Sequence, residues 1–294
     1  MYPRRFKYLR AESVDEAVEL LAALGDEARV LAGGISLIPL MKLRLASPAS
    51  LIDINRLPGL SYIKENGGGL VLGPLTRHVE IETSALVQER FPLMREAARV
   101  IGDVQVRNWG TLGGALAEAD PSGDWGPVCL ALKAEIGYQG PGGNATVPCK
   151  DFFLDAFTTV LEGGNVLTEV RIPGVEGKAG GAYLSLKRRA GDYCVVSAAA
   201  QVVLGEDGVC REVGLGLAGA GLIPLQPVEA EKILGGEKPS EEAILAAAAE
   251  AAKAAEPVSD VRGPATYKRE MIQVLVKRAL NLALRRCRGE ETQG

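Results

Sequence analysis

Two glycine pairs constrain the fold of this 294-residue chain more than any other feature of its sequence. Gly33-Gly34 follows a short apolar segment and precedes a segment with helical spacing, and Gly113-Gly114 likewise leads into a segment that looks helical. Glycine pairs at such junctions let backbone amides converge on an anion, and the N-terminus of the following helix adds partial positive charge. Ser36 and Thr111 place a hydroxyl beside those amides. The spacing alone fits two tight turns without a ligand equally well.

Composition narrows the class of protein. The chain has 36 glycines without a repeating period, which excludes a collagen-like fibre and places them at turns or close backbone approaches. An apolar fraction of 47% with 24% charged residues is typical of a globular protein. The net charge of −4 argues against nucleic acid as a partner, because nucleic-acid binding usually requires a basic excess.

Metal-ligating and catalytic residues are scarce. The five cysteines are far apart and never form a Cys-x-x-Cys pair, so neither a disulfide framework nor a metal site is expected. The only histidine, His78, argues against a His-based metal centre or a Ser/His/Asp triad. Its place after Thr76 predicts a residue on the surface of a helix. We therefore predict no catalytic residue and no metal ligand in this chain.

Targeting signals are also missing from the sequence. The basic N-terminus has no apolar segment behind it, so it does not resemble a signal peptide. No run of about 18 apolar residues is free of Gly and Pro, so no membrane span is predicted. Together with the unpaired cysteines, these features favour a cytoplasmic protein.

The length exceeds the usual size of one domain, about 100–200 residues, so two domains are predicted. Ser13 and Glu16 form a capping box before a predicted helix. The polar link 173–178, which carries Gly and Pro, separates the two predicted domains. Before it we predict strands at 29–31, 50–54, 62–64, 70–72, 135–138, 145–147 and 166–172, and helices at 14–24, 36–43, 76–83, 91–101 and 124–132.

After the link the order of elements changes to strands followed by helices, which indicates an α+β domain with one helical face. We predict strands at 182–187, 195–204 and 209–218, then helices at 228–234, 240–255 and 266–287. Within this region Gly214, Gly216 and Gly219 match the Gly-x-Gly-x-x-Gly pattern of dinucleotide-binding folds. Pro224 and Pro227 follow at once, so no helix begins at these glycines, and the pattern is better explained as the end of a strand.

The two glycine motifs, taken with their neighbours, resemble a known family. Ala32-Gly33-Gly34-x-Ser36-Leu37-x-Pro39, and Thr111-Leu112-Gly113-Gly114 followed by Ala119-Asp120-Pro121-x-x-Asp124, are similar to the FAD-binding motifs of the flavoprotein (medium) subunit of molybdenum hydroxylases. That family includes carbon monoxide dehydrogenase and the flavin domain of xanthine dehydrogenase. The Phe6-x-Tyr8 opening, the Ile172-Pro173 link and the segment 187–193 match as well, so the resemblance covers essentially the whole chain.

The resemblance implies an α+β fold with two domains. Residues 1–175 are expected to form a vanillyl-oxidase-like FAD-binding domain in two parts, about 1–58 and 59–175. A smaller α+β domain, a sheet with helices on one face, is expected over 178–290.

The resemblance also assigns the site. Residues 32–36 and 111–115 are expected to hold the pyrophosphate of FAD, Asp124 the sugar region, and Leu167, Lys187 and Tyr193 the flavin end. From the residues alone, Asp124 fits a helix cap equally well, Lys187 a solvated basic cluster, and Tyr193 a strand core. The expected FAD-binding residues are Ala32, Gly33, Gly34, Ile35, Ser36, Thr111, Leu112, Gly113, Gly114, Ala115, Asp124, Leu167, Lys187 and Tyr193.

Two positions depart from the family pattern. Position 35, usually polar, is Ile35, and Ala115 replaces the amide that usually follows the second glycine pair. Each change removes a possible side-chain hydrogen bond, which contributes about 0.5–1.5 kcal/mol. The sequence is therefore compatible with flavin bound by backbone amides alone, and equally with weak or sub-stoichiometric flavin.

The function implied by the resemblance is electron transfer. Electrons from the iron–sulfur clusters of a small subunit would pass through FAD to an acceptor such as NAD or a quinone, while a large molybdopterin subunit oxidises the substrate. FAD supplies the redox chemistry, which agrees with the lack of acid–base residues. Three alternatives stay open: an NAD(P)-linked Rossmann dehydrogenase, a flavin-free assembly subunit, and a stand-alone flavin reductase.

Overall fold

The computed structural model describes residues 2–290, and the chain begins with a small parallel sheet. Strands β1 (Lys7–Arg10), β2 (Ala28–Leu31) and β3 (Ser50–Asp53) lie in the order β1-β3-β2. Helices α1 (Val14–Leu24) and α2 (Leu37–Leu43) connect them. The loop between β2 and α2 carries the first glycine pair, so the parallel sheet fixes one side of the site.

The start of this unit differs from the prediction in two details. β1 was not predicted, because its side chains are mostly exposed and show no apolar alternation. The capping box is half confirmed: the Ser13 hydroxyl accepts from the Glu16 amide at 3.0 Å, but the Glu16 carboxylate accepts from the Glu12 amide. The helix still begins where the sequence predicts.

A five-stranded antiparallel sheet follows, in the order β4-β5-β10-β6-β7, and β10 lies at its centre. Its strands are β4 (Ile63–Asn66), β5 (Gly69–Leu72), β6 (Glu135–Gly140), β7 (Gly143–Pro148) and β10 (Val166–Ile172), while β8 (Phe153–Asp155) and β9 (Thr158–Thr159) pair separately. The helices of this region are α3 (His78–Thr83), α4 (Ala85–Arg90), α5 (Pro92–Val100), α6 (Val104–Trp109), α7 (Leu112–Glu118) and α8 (Trp125–Ala131).

The C-terminal region is a three-stranded antiparallel meander backed by helices. The strands are β11 (Lys178–Lys187), β12 (Cys194–Leu204) and β13 (Cys210–Ala218), and the helices are α9 (Val228–Leu234), α10 (Glu241–Ala254) and α11 (Ala265–Cys287). α11 packs against β11 and β12, and α10 packs against α11. The predicted α+β class, with helices on one face of the second sheet, is confirmed. The opposite face is covered by α5 and α8 from the preceding region.

The Gly-x-Gly-x-x-Gly segment has a packing role. Gly214 and Gly216 lie within β13, and no helix begins at this segment. A Cβ on Gly214 would clash with the Ala131 carbonyl, and one on Gly216 with the Pro127 carbonyl. These glycines therefore allow the backbone of α8 to lie directly on β13, which is the close approach that glycine permits.

Within residues 2–290, no helix is both long enough and apolar enough to cross a membrane.

Candidate cofactor site

A cavity of about 980 Å³ lies where the parallel sheet, the central helices and the C-terminal region meet. Three segments of its wall are the first glycine loop (residues 32–36), the second glycine loop (residues 110–115) and the segment just before β12, which ends at Tyr193. This volume is at the upper end of the range of small-molecule and cofactor pockets, roughly 300–1,000 Å³. The fold therefore brings the two glycine motifs to one site although about 75 residues separate them in the chain.

Two side chains join the glycine loops, and we call Asn55 and Arg77 the loop bracket. The Asn55 amide donates to the Ala32 carbonyl, and the Arg77 guanidinium donates to the Trp109 carbonyl. Arg77 also donates to Asn55 Oδ1 at 2.5 Å, which closes the connection between the two loops. The loops touch directly as well, since a Cβ on Gly33 would clash with the Trp109 carbonyl.

The first glycine loop carries a continuous row of free backbone donors. Within residues 2–290, no atom accepts a hydrogen bond from the amides of Gly33, Gly34, Ile35 or Ser36. Four amides in a row without acceptors, on the wall of a cavity, are an anion-binding arrangement.

On the second glycine loop, four backbone amides are already hydrogen-bonded within the protein. The Leu112 amide donates to the Thr76 carbonyl at 2.9 Å, and the Gly113 amide to the Pro74 carbonyl at 2.8 Å. The next two amides, those of Gly114 and Ala115, donate to the hydroxyl and carbonyl of Thr111. The sequence predicted converging amides on both loops, and for these four amides that prediction is wrong. The Thr111 hydroxyl keeps its own proton for a ligand.

Two of the fourteen predicted site residues lie away from the cavity wall. Leu112 is fully buried in the core beneath the second loop. Lys187 stands behind Asp124, where its ammonium donates to Asp124 Oδ2 at 3.3 Å and to the Val100 carbonyl at 2.8 Å. The solvated basic cluster suggested for Lys187 is therefore wrong. The residues that do line the cavity are Ala32, Gly33, Gly34, Ile35, Ser36, Thr111, Gly113, Gly114, Ala115, Asp124, Leu167 and Tyr193.

Asp124 is held by a buried polar network. Its Oδ1 accepts from the Tyr183 hydroxyl at 2.5 Å, and its Oδ2 accepts from Lys187. It occupies the N-cap position of α8 but makes no capping bond, so the cap expected as an alternative is absent. Burial raises the pKa of Asp124, while Lys187 and Tyr183 oppose that shift by stabilising the carboxylate. Tyr183 was missed by the sequence analysis.

Carboxylic acids gather at the end of the cavity near Tyr193. Burial, reinforced by Asp120, raises the pKa of Glu118 to about 7, and burial also raises the pKa of Asp120. Tyr193 is 41% exposed and precedes β12, so its expected alternative as a strand core residue is wrong. The Arg262 guanidinium lies 5.7 Å from the centroid of the Tyr193 ring. This end offers an aromatic face beside hydrogen-bond acceptors, whereas the first glycine loop offers donors.

His78 is placed quite differently from the prediction. It is 3% exposed, not on the surface, and its ring lines the cavity next to Gly110. Its Nδ1 accepts a hydrogen bond of 3.1 Å from the indole N–H of Trp125. No local pattern predicts this burial, because Trp125 is far away in sequence.

The arrangement suits a long, two-ended ligand with an anionic middle. Free amides would hold the anion, acidic groups would accept hydrogen bonds from hydroxyls, and Tyr193 offers a face for a flat ring. Within the described part of the chain, no group of His, Cys, Asp and Glu side chains is arranged to hold a metal ion. All five cysteines are free and buried.

Comparison with known proteins gives matches along nearly the whole chain. The family model for the FAD binding domain in molybdopterin dehydrogenase matches residues 4–175, and the CO dehydrogenase flavoprotein C-terminal domain matches residues 181–283. The carbon monoxide dehydrogenase medium chain of Hydrogenophaga pseudoflava is 42% identical over 288 residues, which cover 98% of this chain and 100% of the relative.

Other matches are of the same kind. The glyceraldehyde dehydrogenase medium chain of Sulfolobus acidocaldarius is 39% identical over 279 residues, which cover 95% of this chain and 98% of the relative. A solved structure of carbon monoxide dehydrogenase from Hydrogenophaga pseudoflava, which lacks the Mo-pyranopterin moiety of the molybdenum cofactor, contains a chain that superposes with a TM-score of 0.94. That chain is 43% identical, and the match covers 98% of this chain and 100% of that one.

Proposed function

The chain belongs to the family of FAD-binding medium subunits of molybdenum hydroxylases, and from that premise we propose that it passes electrons from an iron–sulfur partner through FAD to a separate acceptor. FAD is its cofactor, and the chain is an oxidoreductase subunit. When bound, FAD supplies the ability to take up electrons one at a time and release them in pairs. The protein binds and orients this group and tunes its environment.

The free amides of the first glycine loop are the observation that carries this proposal. Gly33, Gly34, Ile35 and Ser36 present donors to the cavity, and no group in residues 2–290 accepts from them. A pyrophosphate provides acceptors for such a row of donors. The side chains of Ile35 and Ala115 supply no hydrogen bond to the cavity. The free amides of the first glycine loop belong to the backbone, so they remain available. The residues present therefore fit FAD and argue against a flavin-free assembly subunit.

We assign the other residues by chemistry. The Thr111 hydroxyl, with the close approach at Gly113 and Gly114, would complete the pyrophosphate site. Asp124 would accept from the sugar region, and Lys187 would act through Asp124 because their charged groups are paired. Leu167 and the Tyr193 ring would pack against the flat ring of the flavin.

The partners and the acceptor are part of the proposal. Relatives are named as medium chains, and we propose that this chain likewise joins a small iron–sulfur subunit and a large molybdopterin subunit. NAD or a quinone would accept the electrons. We place the domain boundaries at 1–175 and 178–290, with parts about 1–58 and 59–175. Five free thiols support a reducing compartment, so we propose the cytoplasm.

A reconstitution experiment tests the proposal. The purified chain is titrated with FAD while flavin fluorescence is measured, and the assembled complex, reduced by its substrate, is mixed with NAD or a soluble quinone. We expect saturable binding of one FAD per chain and reoxidation by one of the two acceptors. Failure of both the isolated chain and the complex to bind FAD would refute the electron-transfer function. Turnover of NAD(P)H by the FAD-loaded chain without partner subunits would instead favour a stand-alone flavin reductase.

A further inference from the structure

The protonation of His78 follows from its neighbours. An indole N–H can only donate, so the bond from Trp125 to His78 Nδ1 requires that Nδ1 carry no proton. Burial, assisted by the charges of Arg77 and Arg107, lowers the pKa of His78 to about 4. The ring is therefore neutral near pH 7, and its single proton is on Nε2.

The Nε2–H group has no hydrogen-bond partner within residues 2–290. No described residue accepts a hydrogen bond from it, although the side chain is almost completely buried. His78 lines the cavity, and a Cβ on Gly110 would lie 2.7 Å from Nε2, so the ring sits against the second glycine loop. Among the described residues, the fully buried side-chain atoms without a partner are Ser185 Oγ, Ser197 Oγ and Gln201 Oε1, so Nε2 is not sealed off, and its acceptor is expected to come from the cavity.

We propose that His78 donates a hydrogen bond from Nε2 to bound FAD, and that Trp125 fixes the tautomer that makes this possible. FAD offers acceptors along its whole length, in the phosphate oxygens, the sugar hydroxyls and the carbonyl and nitrogen atoms of the ring. Because the low pKa keeps the ring neutral, the donor adds direction without adding a full positive charge. This inference rests on the binding of FAD, and it makes His78 a cofactor-binding residue.

The single histidine of the chain permits a direct spectroscopic test. In full-length protein without a histidine tag, [15N]histidine labels only His78. We expect the free protein to show the Nε2–H tautomer, with Nδ1 unprotonated. On titration with FAD, the Nε2 proton resonance should shift in proportion to the bound fraction. A resonance that stays fixed while FAD saturates the protein would overturn the inference and leave FAD binding intact.

Two substitutions separate the proposed role from a merely structural one. Asparagine can place an oxygen near the position of Nδ1, so His78→Asn keeps the acceptor for Trp125 and removes the donor to the cavity. Glutamine reaches the position of Nε2 with an amide N–H, so His78→Gln keeps a donor and loses the acceptor. We expect His78→Asn to raise the Kd for FAD about tenfold with little change in apoprotein Tm. His78→Gln should lower the Tm and keep the Kd within about threefold of the wild-type value.

The opposite pattern, in which His78→Asn binds FAD normally and His78→Gln does not, would show that His78 serves only to support Trp125. If the wild-type chain and its complex failed to bind FAD at all, the proposed function would fall together with this inference. The spectroscopic titration and the two variants therefore distinguish the failure of one from the failure of both.

Discussion

The loop bracket provides the sharpest test of how the fold builds the site. Arg77 makes two hydrogen bonds from a charged donor, one to the Trp109 carbonyl and one to Asn55 Oδ1. Arg77→Met keeps an unbranched apolar side chain and removes both bonds. Hydrogen bonds to charged groups contribute about 1.5–3 kcal/mol each, so about 3–6 kcal/mol of interaction is lost at the junction of the two loops.

Only part of this loss should appear in FAD affinity. The backbone bridge between Arg77 and Thr111 and the tight contact at Gly33 remain in the variant, so the loops are loosened but not separated. We expect a loss of about 2 kcal/mol in binding free energy, or roughly a thirtyfold increase in the Kd for FAD. The measurement is a titration of the apoprotein followed by flavin fluorescence, with Tm recorded for each variant.

Arg269→Met is the matched control. Arg269 donates two bonds of 3.3 Å to the Ala255 carbonyl in the C-terminal region, so its loss should lower the Tm without changing the Kd. Asn55→Ala combined with Arg77→Met should be little worse than Arg77→Met alone, because the two residues act in one connection. Arg77→Met with a normal Kd and a lowered Tm would refute the reasoning, since the bracket would then stabilise the fold without positioning the loops.

Three further outcomes are expected. Ala115→Asn adds an amide to the cavity wall and should lower the Kd for FAD about two- to tenfold in the same titration; an unchanged Kd would show that the added amide does not reach the cofactor. Gly214→Ala drives a methyl group into the Ala131 carbonyl and should lower the free energy of unfolding, measured by chemical denaturation, by about 1–3 kcal/mol. In the control Gly142→Ala the added methyl group has no atom within 4 Å, so the free energy of unfolding should hardly change. The low pKa of His78 should make the free energy of unfolding depend on pH. A contribution of up to about 3 kcal/mol is present above pH 6.5 and is lost as the pH falls towards 4, because the unfolded chain then binds a proton that the native state does not. Buried carboxyl groups change the free energy of unfolding in the opposite direction. The contribution of His78 is therefore measured by urea unfolding across pH, as the difference between wild type and His78→Asn. The same pH dependence in both proteins would contradict the prediction.

The large elements of the fold could be predicted because their information is local. The capped helix after Ser13, the meander of the C-terminal sheet and the long final helix all have their own periodicity. β1 and α6 were missed because their local sequence does not show the pattern of the element that they form. β1 has no apolar alternation, and α6 is short and carries apolar residues at alternating positions that do not favour a helix.

The site was predicted where a motif carries it and missed where tertiary contacts build it. The two glycine loops were found by their residues, but the difference in their free amides depends on Thr76 and Pro74, whose carbonyls come from another segment. Tyr183 could have been found, since it and Lys187 lie four residues apart in one strand and share a face. The burial of His78 had no such signal.

The packing of α8 on β13 has a consequence for how such subunits can be divided. Every residue of α8 is buried, and one side of the helix rests on Gly214 and Gly216 of the other domain with no side chain between the backbones. The same helix begins beside Asp124 at the cavity. Cutting the chain at the linker would expose the contact between α8 and β13, so the two domains cannot be exchanged independently. A chimera that pairs one parent's first domain with another's second domain should assemble only if the glycines of β13 are kept.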